Sequence, residues 1–141
     1  MLGYWQRPEA TALALRGGLL HTGDIGFLDA DGNLFLRDRK SDLIIRGGAN
    51  VYPAEVERVL REDARVADCA VLGIEDARLG ERVVAAVALR SAGGATESEL
   101  LDHCRERLAR YKVPDRIVFV DAFPRTPMGK VLKRALVPLF G

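Results

Sequence analysis

The sequence predicts an α+β domain preceded by a short β-hairpin segment, and three observations carry this prediction. Two β-prone runs, residues 66–74 and 82–89, are separated by a short polar segment, which indicates two strands of one sheet. Thr96 and Glu99 have the spacing of a capping box, which marks the start of a helix. Residues 29–33, rich in Asp, Gly and Asn, separate two short apolar runs and therefore predict a hairpin turn.

The elements between the hairpin and the two strands follow from turn residues and apolar spacing. Residues 8–16 predict one short helix that begins after a proline, and residues 42–46 have the composition of a strand that stops at a glycine pair. Pro53 suits the first turn of a helix, and apolar residues follow it at helical spacing. A helix is therefore predicted from Pro53 to about Asp63.

The remaining elements lie after the capping box. The helix that begins there presents one apolar face, formed by Leu100, Leu101, Cys104 and Leu108. Residues 117–120 predict another strand, and residues 124–129 predict a stiff loop that contains two prolines. Lys130 is predicted to begin a short last helix, whose apolar residues are Val131, Leu132, Ala135 and Leu136.

Composition and net charge limit which classes of protein and which binding partners are expected. With 141 residues, 48% hydrophobic and 29% charged, the chain is long enough for one domain with a core and has a water-soluble globular composition. The formal net charge of +1 creates no strong field, so neither nucleic acid nor anionic lipid is an expected partner. No transmembrane segment and no secretory leader are found, and a cytoplasmic location is expected.

The cysteines and histidines form no recognisable reactive or metal-binding pattern. Cys69 and Cys104 lie far apart without a Cys-x-x-Cys spacing, and each is expected to be a small buried hydrophobic residue. His21 and His103 have no serine or cysteine nucleophile at a telling spacing. Neither a hydrolytic triad nor a metal site is therefore predicted.

Three polar clusters stand out beside glycines, and each allows a structural and a functional interpretation. Asp24, after Gly23, would accept two hydrogen bonds from a vicinal diol, or it would satisfy its own backbone in an Asx-turn. Gly47 and Gly48 would let the backbone approach a ligand, or they form an ordinary turn between a strand and a helix. Lys130 at a helix N-terminus would attract an anion, or it is a solvated lysine.

Several stretches of the chain resemble, in the same order, the motifs of adenylate-forming enzymes and specifically of acyl-CoA synthetases. These stretches cover essentially the whole chain and are residues 3–11, 21–24, 38–57, 111–114 and 124–134. The resemblance implies that the C-terminal part of the chain is a small lid domain with a mixed or antiparallel sheet and flanking helices. It implies ATP and AMP, Mg²⁺ and coenzyme A as cofactors or substrates, together with a small-molecule carboxylic acid.

The resemblance also implies a reaction in two halves and a role for each candidate residue. A carboxylate attacks the α-phosphorus of ATP to form an acyl-adenylate and pyrophosphate, and the thiol of coenzyme A then displaces AMP. Asp24 and Arg39 would bind the ribose, and Lys130 would bridge the carboxylate and phosphate oxygens as the catalytic cation. Gly47 and Gly48 would line the path of the pantetheine arm.

In this family the small domain rotates about a hinge, so that the lysine loop and the glycine loop reach the active site in turn. Counting from Arg39 places the hinge at Ser41, where the family often has Asp or Lys. Residues 1–40 are accordingly expected to be the end of a large nucleotide-binding domain, and residues 41–141 the mobile lid.

The phosphate-binding loop and the Tyr-Gly-x-Thr-Glu segment of such enzymes are absent from this sequence. The chain is therefore expected to be the C-terminal part of a ligase, to need the missing N-terminal domain, and to be inactive alone; fatty acids are the expected substrate class. The alternatives are the lid of an adenylation domain that loads a carrier protein, and a non-enzymatic binding module. The sequence of residues 47–53 resembles the corresponding segment of coenzyme A ligases more than that of carrier-loading domains. The presence of Lys130 argues against a non-enzymatic binding module, which has no need for that cation.

Overall fold

The computed structural model describes all 141 residues and contains two compact units, Met1–Ser41 and Asp42–Gly141. The first unit contains a helix, a short 3-10 turn and a two-stranded antiparallel ribbon. These elements are α1 (Pro8–Ala14), the 3-10 turn Arg16–Gly18, β1 (Asp24–Leu28) and β2 (Leu34–Arg39). The predicted short helix and hairpin are confirmed.

The hairpin turn is built by Asp29. Its Oδ1 accepts hydrogen bonds from the backbone N–H groups of Asp31 at 3.0 Å and Asn33 at 2.8 Å. Gly32 has a φ of +84°, a left-handed conformation that other residues rarely adopt. Short polar side chains and one glycine therefore determine this turn, as the sequence predicts. No residue of the first unit is buried.

The second unit is a five-stranded mixed sheet with helices on its faces, which confirms the predicted α+β class. Its elements in chain order are β3 (Ile44–Arg46), β4 (Ala49–Val51), α2 (Pro53–Glu62), β5 (Val66–Asp76), β6 (Gly80–Leu89), α3 (Glu97–Arg107), the 3-10 turn Arg110–Lys112, β7 (Arg116–Phe119) and the 3-10 helix Lys133–Phe140. The strand order is β4-β3-β6-β5, and β7 also pairs with β6.

Strand β6 is the centre of this sheet. It runs antiparallel to β5 along its length, parallel to β7, and meets β3 only at the pair Arg46 and Gly80. Residues 83–87 are fully buried, and their side chains alternate between the two faces. Because both faces are covered, the strand reads as a continuous apolar run rather than an alternating one.

Each face of the sheet has its own apolar cluster. Helices α2 and α3 cover one face with buried side chains that include Val56, Leu60, Leu100 and Cys104. The C-terminal 3-10 helix covers the other face with Leu136 and Phe140. Cys69 and Cys104 are free and buried, as expected, and burial raises the pKa of Cys69 to about 12 and that of Cys104 to about 11. Neither thiol ionises near neutral pH.

The helix boundaries follow the predicted signals closely. Helix α2 begins at Pro53 and ends at Glu62, one residue before the predicted end. At the start of α3 the capping box is formed: the hydroxyl of Thr96 accepts from the N–H of Glu99, and Glu99 Oε2 accepts from the N–H of Thr96 at 2.8 Å. No helix of the chain combines the length and the apolar character that a membrane span requires.

Two predictions of local structure are wrong. The last helix begins at Lys133 and not at Lys130, because the chain first makes a turn in which Arg125 pairs with Val131. The segment after the glycine pair is a strand, β4, so the glycines connect two strands and not a strand and a helix. In both places a local pairing of backbone groups, between Arg125 and Val131 and between β3 and β4, determines the path of the chain.

Candidate functional site

Asp24 and Arg39 face each other across the ribbon of the first unit. They are direct cross-strand partners of β1 and β2, and Arg39 Nε lies 3.3 Å from Asp24 Oδ1. The Asp24 side chain is 29% exposed and that of Arg39 is 57% exposed. The bend before Asp24 is made by Thr22, whose hydroxyl accepts from the Asp24 N–H at 3.1 Å. The carboxylate of Asp24 is therefore available to Arg39 and is not used in an Asx-turn.

Asp24 also lines a concavity of the first unit, with a volume of about 760 Å³, which is within the range of small-molecule sites. The same concavity is also lined by Tyr4, Arg7 and His21. The rim is held by a hydrogen bond from the Lys40 N–H to the Gly23 carbonyl at 2.7 Å. One carboxylate among cationic and aromatic groups is suited to an anionic ligand that also carries hydroxyl donors.

Lys130 lies at the end of a tight hairpin turn, here called the Lys130 turn (residues 125–131). The Thr126 N–H donates to the Lys130 carbonyl and the Gly129 N–H to the Thr126 carbonyl, both at 2.8 Å. Gly129 has a φ of +82°, and the Lys130 N–H donates to the Thr126 hydroxyl at 3.1 Å. The predicted helix N-terminus is therefore absent at this lysine, and the anion attraction expected there has to come from the ammonium group alone.

The Lys130 side chain is exposed and makes no hydrogen bond or ion pair within the chain. Two other lysines of the second unit differ in this respect. Lys133 pairs with Glu57 at 2.8 Å, and Lys112 pairs with Glu55 at 2.7 Å. Lys130 thus presents an unneutralised cation on a short, hydrogen-bonded turn.

The glycine turn, Gly47–Gly48, connects β3 and β4. Arg46 and Ala49 are paired, and the two glycines have φ values of +58° and +83°. Two successive positive φ values at the centre of a two-residue hairpin are those of a type I′ turn. A Cβ at Gly48 would meet nothing within 4 Å. The turn therefore needs glycine for its conformation, and it also exposes bare backbone that a ligand can approach.

Long-range side-chain contacts hold β3 and the glycine turn. The guanidinium of Arg46 donates to the Val113 carbonyl at 3.1 Å and pairs with Asp115 at 2.6 Å. Glu81 Oε2 accepts from the Ile45 N–H at 2.6 Å, where β3 and β6 are no longer paired. Sequence analysis missed Arg46 and Glu81 as positioning residues, because their partners lie 36 to 69 positions away and no local pattern signals them.

The two turns of the second unit lie near opposite ends of the β5–β6 hairpin. The Lys130 turn is tied to Asp68 at the start of β5, whereas the N–H of Gly47 donates to the carbonyl of Leu79 at the far end, at 2.7 Å. Asp76, beside Leu79, lies eight positions after Asp68, or about 26 Å along an extended strand. One small reaction centre therefore contacts only one of the two turns at a time.

Ser41 is the last residue of the first compact unit, and Asp42 is the first of the second. The predicted hinge thus lies at the boundary between the units. No group of three or more His, Cys, Asp or Glu side chains is placed to hold a metal ion. Proteins commonly bind Mg²⁺ through substrate phosphates and water with only one or two carboxylates.

A protein-family comparison matches residues 55–130, which include most of α2, strands β5 to β7, α3 and the Lys130 turn as far as Lys130 itself. The 2-succinylbenzoate–CoA ligase of Geobacillus kaustophilus is 55% identical over 134 residues, which cover 95% of this chain and 27% of that ligase. The long-chain-fatty-acid–CoA ligase FadD13 of Mycobacterium tuberculosis is 45% identical over 94% of this chain and 26% of its own length.

A solved structure shares this fold. The o-succinylbenzoate CoA synthetase of Bacillus subtilis, determined with its acyl-adenylate intermediate, superposes with a TM-score of 0.88 at 42% identity and covers 95% of this chain and 27% of its own. The chain therefore spans about a quarter of the length of the curated relatives it matches. The family match covers more than half of the 141 residues, and this chain belongs to the family described as the AMP-binding enzyme C-terminal domain.

Proposed function

We propose that this chain supplies the C-terminal lid, with its connecting segment, of an AMP-forming ligase that joins a carboxylic acid to coenzyme A. The carboxylate oxygen forms a bond to the α-phosphorus of ATP, and the bond to pyrophosphate breaks. The sulfur of coenzyme A then bonds to the acyl carbon as a thiolate, and AMP leaves. The observation that carries this proposal is the family match, which ends on an exposed, unpaired Lys130.

Lys130 is proposed as the catalytic cation of the first half-reaction. The carboxylate and the phosphate are both anions, and a fixed ammonium between them offsets their repulsion and stabilises the charge that develops during transfer. Because no carboxylate of this chain pairs with Lys130, its charge is available for such a complex. The tight turn below it limits the backbone conformations that the loop samples before the reactants arrive.

Asp24 and Arg39 are proposed to bind the ribose of the nucleotide. A carboxylate accepts hydrogen bonds from two vicinal hydroxyls, and a guanidinium donates to the same sugar. Their ion pair at 3.3 Å supports this role, because it holds both groups at one end of the ribbon beside the concavity that Asp24 lines.

The glycine turn is proposed to line the pantetheine path in the second half-reaction. Its separation from the Lys130 turn, about 26 Å along β5, supports a reorientation of the lid between the two steps. Ser41, at the boundary of the compact units, is the proposed hinge, and a small side chain allows a large change in backbone dihedral angles there.

The first unit, Met1–Ser41, is proposed to be the end of the large nucleotide-binding domain. None of its residues is buried, and apolar side chains such as Leu28, Leu34 and Leu36 are about two-thirds exposed. A segment without a core of its own is stabilised by packing against a larger body. Matched relatives about three and a half times as long as the 141 residues of this chain are consistent with such a body.

The acid is proposed to be a carboxylate of one of two classes. Fatty acids are the class that the resemblance leads us to expect, and FadD13 is named for long-chain fatty acids. The more similar relative is named for 2-succinylbenzoate, which favours an aromatic acid as the first alternative. Both classes of acid should therefore be tested as substrates.

The direct test compares this 141-residue chain with the complete ligase in ATP–pyrophosphate exchange, using a long-chain fatty acid and 2-succinylbenzoate. We expect negligible exchange from the chain alone and acid-dependent exchange from the complete enzyme, followed by thioester formation with free coenzyme A. Exchange by the isolated chain at the rate of the complete enzyme would overturn the proposal. Transfer to a phosphopantetheinyl carrier protein but not to free coenzyme A would identify the chain as the lid of a carrier-loading domain.

A further inference from the structure

We infer that Arg125 and Asp68 are positioning residues for Lys130: their ion pair ties the Lys130 turn to the sheet and sets where the ammonium is presented. This inference rests on the proposed function, because it assigns Arg125 and Asp68 a role in the same half-reaction as Lys130. Neither side chain is proposed to touch a substrate.

The planar guanidinium of Arg125 connects strand β5 to the Lys130 turn. Its Nη2 pairs with a carboxylate oxygen of Asp68 on β5, and its Nη1 donates to the carbonyl of Gly129 at 2.8 Å. Gly129 immediately precedes Lys130. Because a guanidinium is rigid and planar, fixing one nitrogen on the sheet also fixes the direction from which the other holds the turn.

Asp68 is itself oriented by other contacts. Its Oδ1 accepts from the backbone N–H of Cys69 at 2.8 Å and lies 3.5 Å from Arg61 Nη2, which leaves Oδ2 for Arg125. Cys69 is buried in the apolar core. A short connection therefore runs from the packed sheet through the carboxylate and the guanidinium to the residue before Lys130.

A second tether holds the other side of the turn. Lys133 pairs with Glu57 Oε1 at 2.8 Å, and the same oxygen accepts from the N–H of Val71 on β5 at 2.9 Å. Glu57 is only 13% exposed. The Lys130 turn is thus attached on both sides to one stretch of β5, between Asp68 and Val71, while Lys130 itself stays unpaired.

Removing the Arg125 tether should leave the turn folded but change its placement and increase its mobility relative to the sheet. The bonds between Thr126 and Lys130 and between Gly129 and Thr126 do not involve the guanidinium. A displacement of about 1 Å of a catalytic group can cost on the order of 100-fold in rate. The expected defect is therefore in the half-reaction that needs Lys130 and not in the stability of the lid.

The test uses Arg125→Gln, Arg125→Lys and Asp68→Asn in the complete ligase, with Lys130→Ala as reference and Arg58→Gln as matched control. Arg58 forms an exposed pair with Glu62 on α2 and does not contact the turn. We expect Arg125→Gln and Asp68→Asn to lower kcat for adenylation by about 10- to 100-fold, with KM for ATP and thioester formation from supplied acyl-adenylate within about twofold. Arg125→Lys, which keeps the charge but cannot bridge both partners, should remain defective.

A second readout is independent of catalysis. In the 141-residue chain, Arg125→Gln should lower the backbone ¹⁵N heteronuclear NOE at Gly129 and Lys130, and Arg58→Gln should not. The inference is overturned if Lys130→Ala abolishes adenylation while the Arg125 and Asp68 variants stay within twofold, or if those variants slow both half-reactions equally. If Lys130→Ala itself leaves adenylation unchanged, the proposed function fails, and an unchanged NOE would reject the tether as well.

Discussion

The pKa of Asp63, just after helix α2, is determined mainly by one partner, Arg65. The guanidinium donates to both carboxylate oxygens of Asp63, at 3.0 and 2.8 Å, and the Arg65 N–H donates to Oδ1 at 2.9 Å. The side-chain hydrogen bonds of Arg65 are the largest cause that lowers the pKa of Asp63 to about 2. The ionised carboxylate is therefore part of the folded state over most of the pH range.

The pKa of Asp63 leads to a pH-dependent prediction. Since an unperturbed Asp titrates near pH 4, ionised Asp63 stabilises the fold above pH 4, and this stabilisation is lost as the pH falls toward 2. Asp63→Asn should be less stable than the wild type at pH 6, with a difference that narrows between pH 4 and 2. Urea unfolding followed by circular dichroism measures this difference in the free energy of unfolding, with a substitution of the exposed Glu106, Glu106→Gln, as control. A difference that does not change with pH would contradict the lowered pKa of Asp63.

The glycine turn shows how backbone conformation limits substitution at the scale of an element. Gly48 has a φ of +83° with open space around its missing Cβ, so the obstacle to a side chain there is backbone strain and not crowding. Asn is well suited to the first position of a type I′ turn, which Gly47 occupies.

We therefore predict that Gly48→Val destabilises the second unit by about 1–2 kcal/mol, whereas Gly47→Asn changes its stability by less than about 0.5 kcal/mol. Urea-unfolding midpoints of the 141-residue chain give both values. Equal and small effects at the two positions would show that the turn is not of type I′ in solution.

Elements with local signals were predictable, and elements held by distant partners were not. Proline and the capping box located α2 and α3, because these signals act within one helical turn. Residues 124–129 were predicted as a loop, but residues 130–132 were misassigned to the last helix, because the path of the chain there is stabilised by Asp68 and Glu57, which lie 57 and 76 positions before their partners Arg125 and Lys133. Asp24, the glycines and Lys130 stand out in the sequence as polar clusters beside glycines, and the resemblance added Arg39 and the role of each residue. The ion pair of Asp24 with Arg39 and the tethers of the Lys130 turn required the structure.

At the scale of the whole molecule, the two compact units differ in how much they bury. The first unit has no buried residue, whereas residues 83–87 of β6 are fully buried between two apolar clusters. Local opening is easiest where few apolar contacts are lost. The second unit therefore contains the stable part of the chain.

Hydrogen exchange of the 141-residue chain tests this difference. We expect the amides of β1 and β2 to exchange at least about 100-fold faster than those of residues 83–87. In the complete ligase, β1 and β2 should become protected, because the proposed large domain covers their apolar side chains. Equal protection of both units in the isolated chain would show that the first unit folds without a larger body.

We propose that one small domain serves two half-reactions with two different turns, and that Lys130 acts only in the first. The most direct measurement compares both half-reactions in the complete ligase carrying Lys130→Ala, with Arg58→Gln as a charge-matched control. Adenylation should fall by at least about 100-fold, while thioester formation from supplied acyl-adenylate stays within about twofold. An equal loss in both half-reactions, with the control unaffected, would contradict the assignment of Lys130 to adenylation.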